Sequence, residues 1–192
     1  MVTRNGMLSP LKIVYIYQSI ATNFAEPSAV QLHIYHQIHG FQQAGHQVNL
    51  LSLQGRQVLF TSSLNVFQND MQSDTNLGKL GWSGTKLFKV IESAVRRIQK
   101  KFGFPYLAIF DSYRIYDACR VNLKNHDVIH ERYNLFAFGG AWASRKLGIP
   151  YILEVNADLL EERQAQGNGE RGLRKLFAEW TTQYCFNRAH RI

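Results

Sequence analysis

Short runs of apolar, β-branched and aromatic residues alternate along the chain with longer segments that have helical periodicity. Such runs predict strands, because these side chains suit a buried pleated sheet. They lie at 12–17, 46–51, 127–130 and 151–155, with a shorter run at 57–60. The order strand, helix, strand occurs twice and predicts βαβ units, in which parallel strands are joined by right-handed crossovers.

The helical segments are bounded by recognisable start and stop residues. Ser28 suits a helix N-cap, while Gly45, Gly148 and Pro150 are typical of helix ends. Helices are predicted at 28–44, 85–102, 106–123, 136–147 and 170–189, with a charged helix or turn at 159–169; the stretch 106–110 also suits a strand. These elements predict an α/β fold that is Rossmann-like and doubly wound, with a mainly parallel sheet and helices on both faces.

A chain of 192 residues is long enough for one sizeable core. We therefore expect one domain over 11–192, preceded by a flexible lead-in at 1–10. The segment 65–84 is rich in Asn, Asp, Ser and Gly, which favours a variable surface loop or an insertion.

The helix predicted at 85–102 combines an apolar stripe with many cations. Its stripe contains Leu87, Ile91, Ala94 or Val95, and Ile98. The favoured interpretation is a helix that covers the sheet and exposes a solvated basic face. A helix that rests on anionic lipid is the alternative.

The 22 Lys and Arg residues outnumber the 14 Asp and Glu residues, which gives a formal charge of +8. This excess favours anionic partners such as phosphates, nucleotide-linked substrates or acidic lipid. No recognisable nucleic-acid-binding motif accompanies it, so a nucleic-acid partner is disfavoured. Cys119 and Cys185 have no ligand spacing and are predicted to be reduced thiols. Without a signal peptide or an apolar span, a cytoplasmic location is expected, with peripheral contact at the inner face of the membrane left open.

Polar residues cluster where two predicted strands end, and ligands bind at this edge of open parallel sheets. Carboxylate, guanidinium and amide groups there could bind the hydroxyl groups of an acceptor. The alternatives are an Arg–Glu pair that ties a loop down and a hydrogen-bonded cap of the next helix. The candidate cleft residues are Glu131, Arg132, Tyr133, Glu154, Asn156 and Asp158.

Histidines recur at intervals of three on the helix 28–44. His33, His36 and His39 would spread over roughly 120° of the helix surface, so convergence on one metal ion is disfavoured. His33 lies near the helix N-terminus, which suits an anionic ligand, although a half-buried helix histidine is the alternative. Neither a Walker motif nor GxGxxG follows the first strand, which disfavours a P-loop or a dinucleotide cofactor. No metal and no cofactor are therefore expected.

Three segments together resemble a known family. They are KIVYIY with the following helix and its closing Gly-His-Gln-Val, the segment DVIHERY with its helix and LGIPYILEVNAD, and the tail FNRAHRI. In this order they resemble the N-terminal, acceptor-side domain of GT-B glycosyltransferases of the family 4-like group. The resemblance covers nearly the whole chain apart from 65–84. It departs from the pattern at Ser28-Ala29, where many members have Gly-Gly, and at Asn156, where many have His.

The resemblance implies one half of a bilobal enzyme that transfers a sugar from a nucleotide-sugar donor to a glycan or lipid-linked acceptor. The residues 131–133, 154, 156 and 158 would then position the acceptor, and Ser28, Ala29 and His33 would face the donor phosphates. The family's donor-binding C-terminal domain is absent from this chain and would act in cis or in trans, so the chain alone is expected to be inactive. A non-catalytic module that binds glycan or a partner is the first alternative, and a basic nucleic-acid-binding domain is the second.

Overall fold

A computed structural model of the chain describes residues 9–19, 28–64 and 77–192. Five strands form one sheet in the order β3-β2-β1-β4-β5. Strands β1, β2, β4 and β5 are parallel, and β3 is antiparallel to β2. The strands are β1 Lys12–Tyr17, β2 Gln47–Gln54, β3 Gln57–Thr61, β4 Val128–Arg132 and β5 Tyr151–Glu154. The predicted Rossmann-like α/β fold with a mainly parallel sheet is confirmed.

Six α-helices connect or follow these strands within the described ranges. They are α1 Ala29–Gln43, α2 Lys86–Lys101, α3 Ile109–Asn122, α4 Gly139–Leu147, α5 Leu159–Ala165 and α6 Gly172–Arg188. The segment 106–110 is thus not a strand, and α4 begins three residues later than predicted. The residues 1–8 of the predicted lead-in and 65–76 of the predicted loop lie outside the described residues, whereas Trp82–Gly84 forms a short 3-10 helix.

Helices cover both faces of the sheet. On one face, Ile34 and Ile38 of α1 pack with Ile13 and Tyr15 of β1. On the other face, a larger cluster joins the sheet to α3, α4 and α6, and it includes the free cysteines Cys119 and Cys185. This arrangement confirms the doubly wound prediction. No helix within the described ranges is both long and apolar enough to cross a membrane.

Helix α2 presents a different face to the protein from the one that its sequence predicts. Phe88 and Glu92 are its buried residues, and both face α3. The predicted stripe points outward instead, with Leu87 61% and Ile98 56% exposed. The prediction that this stripe covers the sheet is therefore wrong. The reason is that the Glu92 carboxylate pairs with Arg114 of α3, and this ion pair keeps the side of α2 that carries Glu92 facing inward.

Replacing Gly139 with alanine is expected to lower the free energy of unfolding by about 2 kcal/mol. Gly139 begins α4 where this helix touches α3, and an added Cβ would lie 2.6 Å from the carbonyl oxygen of Ser112 and 2.7 Å from Cβ of Ile115. Urea denaturation measures the loss. Gly40→Ala is the matched control, because nothing lies within 4 Å of its added Cβ. Since alanine favours a helix interior, this control is expected to gain about 0.5 to 1 kcal/mol. If Gly139→Ala and Gly40→Ala lowered the free energy of unfolding equally, the close packing of α3 against α4 would be contradicted.

Candidate ligand-binding site

The carboxylate of Glu154, the last residue of β5, is the centre of a polar cluster. Four side chains donate hydrogen bonds to it, and a fifth lies at the edge of hydrogen-bonding distance. They are Tyr15 Oη at 2.6 Å, Asn156 Nδ2 at 2.6 Å, His33 Nε2 at 2.8 Å, Arg132 Nη1 at 3.3 Å and His130 Nε2 at 3.5 Å. One anionic group is thus surrounded by donors from β1, from β4, from α1 and from the segment that follows β5.

Strand register and alternation bring these side chains to the same face. In the parallel sheet, Tyr15 pairs with His130 and Arg132 pairs with Glu154. His130 and Arg132 are two residues apart, so both side chains lie on the face that carries α1. A capping box between Ser28 and Gln31 starts α1 and places its first turns beside this edge. His33 reaches Glu154 from there.

The cluster lies where the strand order reverses. Strand β1 leads through α1 to β2 on one side, whereas β4 leads through α4 to β5 on the other side. Helices therefore leave the sheet on opposite faces next to β1 and β4, since α1 packs with one core cluster and α4 with the other. Open α/β sheets bind their ligands at such a switch point.

The carboxylate of Glu154 is held in its ionised form. Burial alone would raise its pKa, but hydrogen bonds from His130, Tyr15 and Asn156, together with the bond from His33, lower the pKa well below its ordinary value. Burial and the bond to Glu154 also raise the pKa of Tyr15, so its hydroxyl keeps its proton and remains a donor. In the cluster, Glu154 is therefore negatively charged and Tyr15 is neutral.

The remaining donor capacity of the cluster points to a ligand rich in oxygen. Glu154 uses its oxygens on its neighbours, so its role is to orient them. The imidazole of His33 is 37% exposed, the guanidinium of Arg132 is 15% exposed, and Asn156 is exposed. A guanidinium has five N–H groups and an amide has two, so each retains donors beyond those bound to Glu154. Hydroxyl groups or anionic oxygens of a ligand fit these donors.

Glu131 does not belong to this cluster. Alternation along β4 sends its side chain to the opposite face, where it is 1% exposed beneath α4. Its carboxylate accepts hydrogen bonds from Tyr151 Oη at 2.5 Å and from the backbone N–H of Gly140 at 3.4 Å. Burial raises the pKa of Glu131 to about 7. Its contacts are with the protein interior rather than with the cluster around Glu154.

The other candidates from the sequence have local structural contacts. The hydroxyl of Tyr133 bonds Thr182 at 2.7 Å, on the same side of the sheet as Glu131. Asp158 is the N-cap of α5, where its carboxylate accepts from the backbone N–H groups of Leu160 and Glu161. Ser28 caps α1, and Ala29 is the first residue of that helix. Of the candidates, His33, Arg132, Glu154 and Asn156 come together.

Tyr15 and His130 are members of the cluster that the list of candidates from the sequence does not contain. Alternation along β4 assigns His130 to the face of Arg132, whereas Tyr15 is placed there by the register of β1 against β4. Over the described ranges, no three or more His, Cys, Asp or Glu side chains form a group that could hold a metal ion.

The fold and the cluster together define a class, namely a Rossmann-like α/β domain with a donor-rich polar cluster at its switch point. Comparisons of this chain with protein-family models, with curated proteins and with solved structures found no match.

Proposed function

We propose that this chain is the acceptor-side domain of a GT-B glycosyltransferase, in which the Glu154 cluster holds a glycan or lipid-linked acceptor. The observation that supports this most is the ring of donors around one ionised carboxylate at the switch point of the sheet. The resemblance of the segments 127–133 and 147–158 to the glycosyltransferase 4-like group supports it independently. On this proposal the nucleotide-sugar donor is bound mainly by a second domain, in cis or in trans.

The cluster suits a sugar acceptor for chemical reasons. A sugar offers several hydroxyl groups, each of which both donates and accepts, so Arg132 and Asn156 would donate to their oxygens, and Nδ1 of His33 would accept from a hydroxyl. Glu154 keeps these donors in place through its own hydrogen bonds, so little side-chain entropy remains to be lost on binding. The N-terminus of α1 adds a positive dipole beside His33, which favours phosphate oxygens of the donor or of a lipid-linked acceptor.

Binding of glycans to the purified 192-residue protein tests the proposal. On an array of glycans and lipid-linked sugars, we expect retention of a defined group, and a loss of at least about tenfold in affinity for Arg132→Gln, because a hydrogen bond to a charged group is removed. Arg120→Gln is the matched control, since this arginine is on α3 and its side chain is 53% exposed. Absence of glycan binding, or equal binding by Arg132→Gln, would overturn the proposal.

A second measurement tests whether sugar transfer requires a separate donor-binding domain. Incubating the same protein with nucleotide sugars and the bound glycan is expected to give no transfer until a donor-binding domain is added. Transfer by the chain alone would contradict the need for that domain while leaving acceptor binding in place.

A further inference from the structure

Helix α2 exposes a continuous apolar stripe to solvent. Leu87 is 61%, Val90 65%, Ile91 39% and Ile98 56% exposed. The stripe continues past the helix into Phe102 and Phe104, which are 66% and 60% exposed. A helix of 16 residues is about 24 Å long, so these side chains form one extended surface. A contiguous apolar surface of this kind marks an interaction site.

The buried contacts of α2 fix its orientation. Glu92 is fully buried, and its carboxylate accepts from Arg114 Nη2 at 2.8 Å and from Arg96 Nη2 at 2.8 Å. Phe88, on the same side of the helix, stacks on Tyr113 of α3. Rotating the helix to bury its stripe would separate Glu92 from the buried Arg114, which would keep only Asp111 as an ionic partner. Breaking a buried ion pair costs several kcal/mol. The stripe is therefore held outward by the fold.

Cations border this stripe. Helical periodicity places five basic residues along the solvent-facing side next to it, namely Lys86, Lys89, Arg97, Lys100 and Lys101. The only acidic residue of α2 is the buried Glu92. A shallow groove runs between stripe and cations, lined by Lys89, Val90, Ser93, Ala94 and Arg97. Arg56 adds a further cation there, since its guanidinium donates to Ser93 Oγ at 3.0 Å.

We propose that α2 is a docking surface for an anionic lipid bilayer. The helix lies in the plane of the interface, with Leu87, Ile91 and Ile98 inserted among the upper acyl chains and the cations among the headgroups. Phe102 and Phe104 extend the inserted surface. Charge complementarity selects this occupant, because an apolar stripe beside many cations and no exposed acid is the pattern of an interfacial helix. This inference does not depend on sugar transfer.

Vesicle flotation of the full chain tests the docking surface. We expect binding to vesicles that mix phosphatidylcholine with phosphatidylglycerol, weak binding to phosphatidylcholine alone, and a decrease as sodium chloride is raised. Leu87→Ser combined with Ile91→Ser and Ile98→Ser is expected to weaken binding by about tenfold or more. Neutralising Lys86, Lys89 and Arg97 as glutamines is expected to weaken it by about fivefold per charge.

The control removes exposed apolar side chains elsewhere. Leu173 and Leu176 of α6 are 77% and 62% exposed, so Leu173→Ser with Leu176→Ser is expected to leave vesicle binding unchanged. Circular dichroism and thermal unfolding confirm that each variant is folded. Lack of vesicle binding, equal binding to both lipid mixtures, or full binding by the α2 variant would overturn the proposal. So would a dimer that the α2 substitutions dissociate in the absence of lipid, because a second copy would then cover the stripe.

Discussion

Replacing Arg114 with leucine is expected to lower the free energy of unfolding by about 3 to 5 kcal/mol. The guanidinium is 1% exposed and binds Glu92 Oε2 at 2.8 Å and Asp111 Oδ1 at 2.9 Å. Both carboxylates are themselves buried. Arg96 also pairs with both carboxylates, so the substitution leaves two buried negative charges with one guanidinium instead of two. Removing one partner from a buried ion network is among the most costly defects in a folded protein.

Urea denaturation, with a check that the oligomeric state is the same for variant and wild type, measures this loss. Lys175→Leu on α6 is the control, since its side chain is 58% exposed and its partner Glu179 is 49% exposed. We expect it to cost less than about 1 kcal/mol.

A double-mutant cycle separates pairing from packing. If the pair is coupled, Glu92→Gln together with Arg114→Leu costs less than the sum of the two single losses. Additive losses would show that Arg114 acts instead through its other contacts, which are the ion pair with Asp111 and the guanidinium over the ring of Phe88. In that case the ion network would not be what fixes α2.

The strands could be predicted from sequence because the pattern that identifies them is also what buries them. Residues 13–16 are apolar on both faces of β1, and both faces are covered, so the apolar run and the burial coincide. The capping box at Ser28 is similarly local, since it depends on residues within one turn. The orientation of β3 could not be predicted from the strand pattern alone, because an antiparallel return depends on the tight turn at Gly55 and Arg56.

The exposed faces of helices could not be predicted in the same way. Periodicity shows that α2 has an apolar stripe, but it cannot show whether protein or something else covers that stripe. The answer depends on Arg114, which is remote in sequence and makes a polar residue of α2 the inward one. The same holds for α6, in which Leu173 and Leu176 are exposed while the polar Thr181 is buried.

The sequence indicated the edge of the sheet more readily than the set of side chains that meet there. The predicted strand ends at 130 and 155 lie within two residues of the observed ends at Arg132 and Glu154. Treating Glu131, Arg132 and Tyr133 as one cleft group overlooked alternation, which sends the middle side chain to one face and its neighbours to the other. Tyr15 needed the register of β1 against β4, which single-strand patterns do not contain.

Replacing Glu131 with glutamine is expected to stabilise the protein increasingly as the pH rises. The wild-type carboxyl is buried between Tyr151 and α4, and burial raises its pKa from 4.5 to about 7. Between these two values the unfolded chain releases this proton while the folded chain keeps it. Since the unfolded state then binds fewer protons, wild-type stability falls as the pH rises through this window and reaches its low value above about pH 7.

Glutamine has nearly the same shape as glutamate and carries no charge, so the variant does not lose stability as the pH rises through this window. Its amide can accept from Gly140 and donate to the hydroxyl of Tyr151, which reverses its role in that bond. The variant is therefore expected to gain about 2 to 3 kcal/mol on wild type between about pH 5 and pH 8, since one pKa unit corresponds to about 1.4 kcal/mol. Urea denaturation at several pH values within this window measures the difference.

Glu179→Gln is the control, because the side chain of Glu179 is 49% exposed and pairs with Lys175 at the surface of α6. Its difference from wild type is expected to stay flat over the same pH range. A flat difference for Glu131→Gln as well would mean that this carboxyl ionises in the folded protein as readily as in the unfolded chain. Water would then have to reach it beneath α4, and Glu131 would have to be considered again as a residue that faces a ligand.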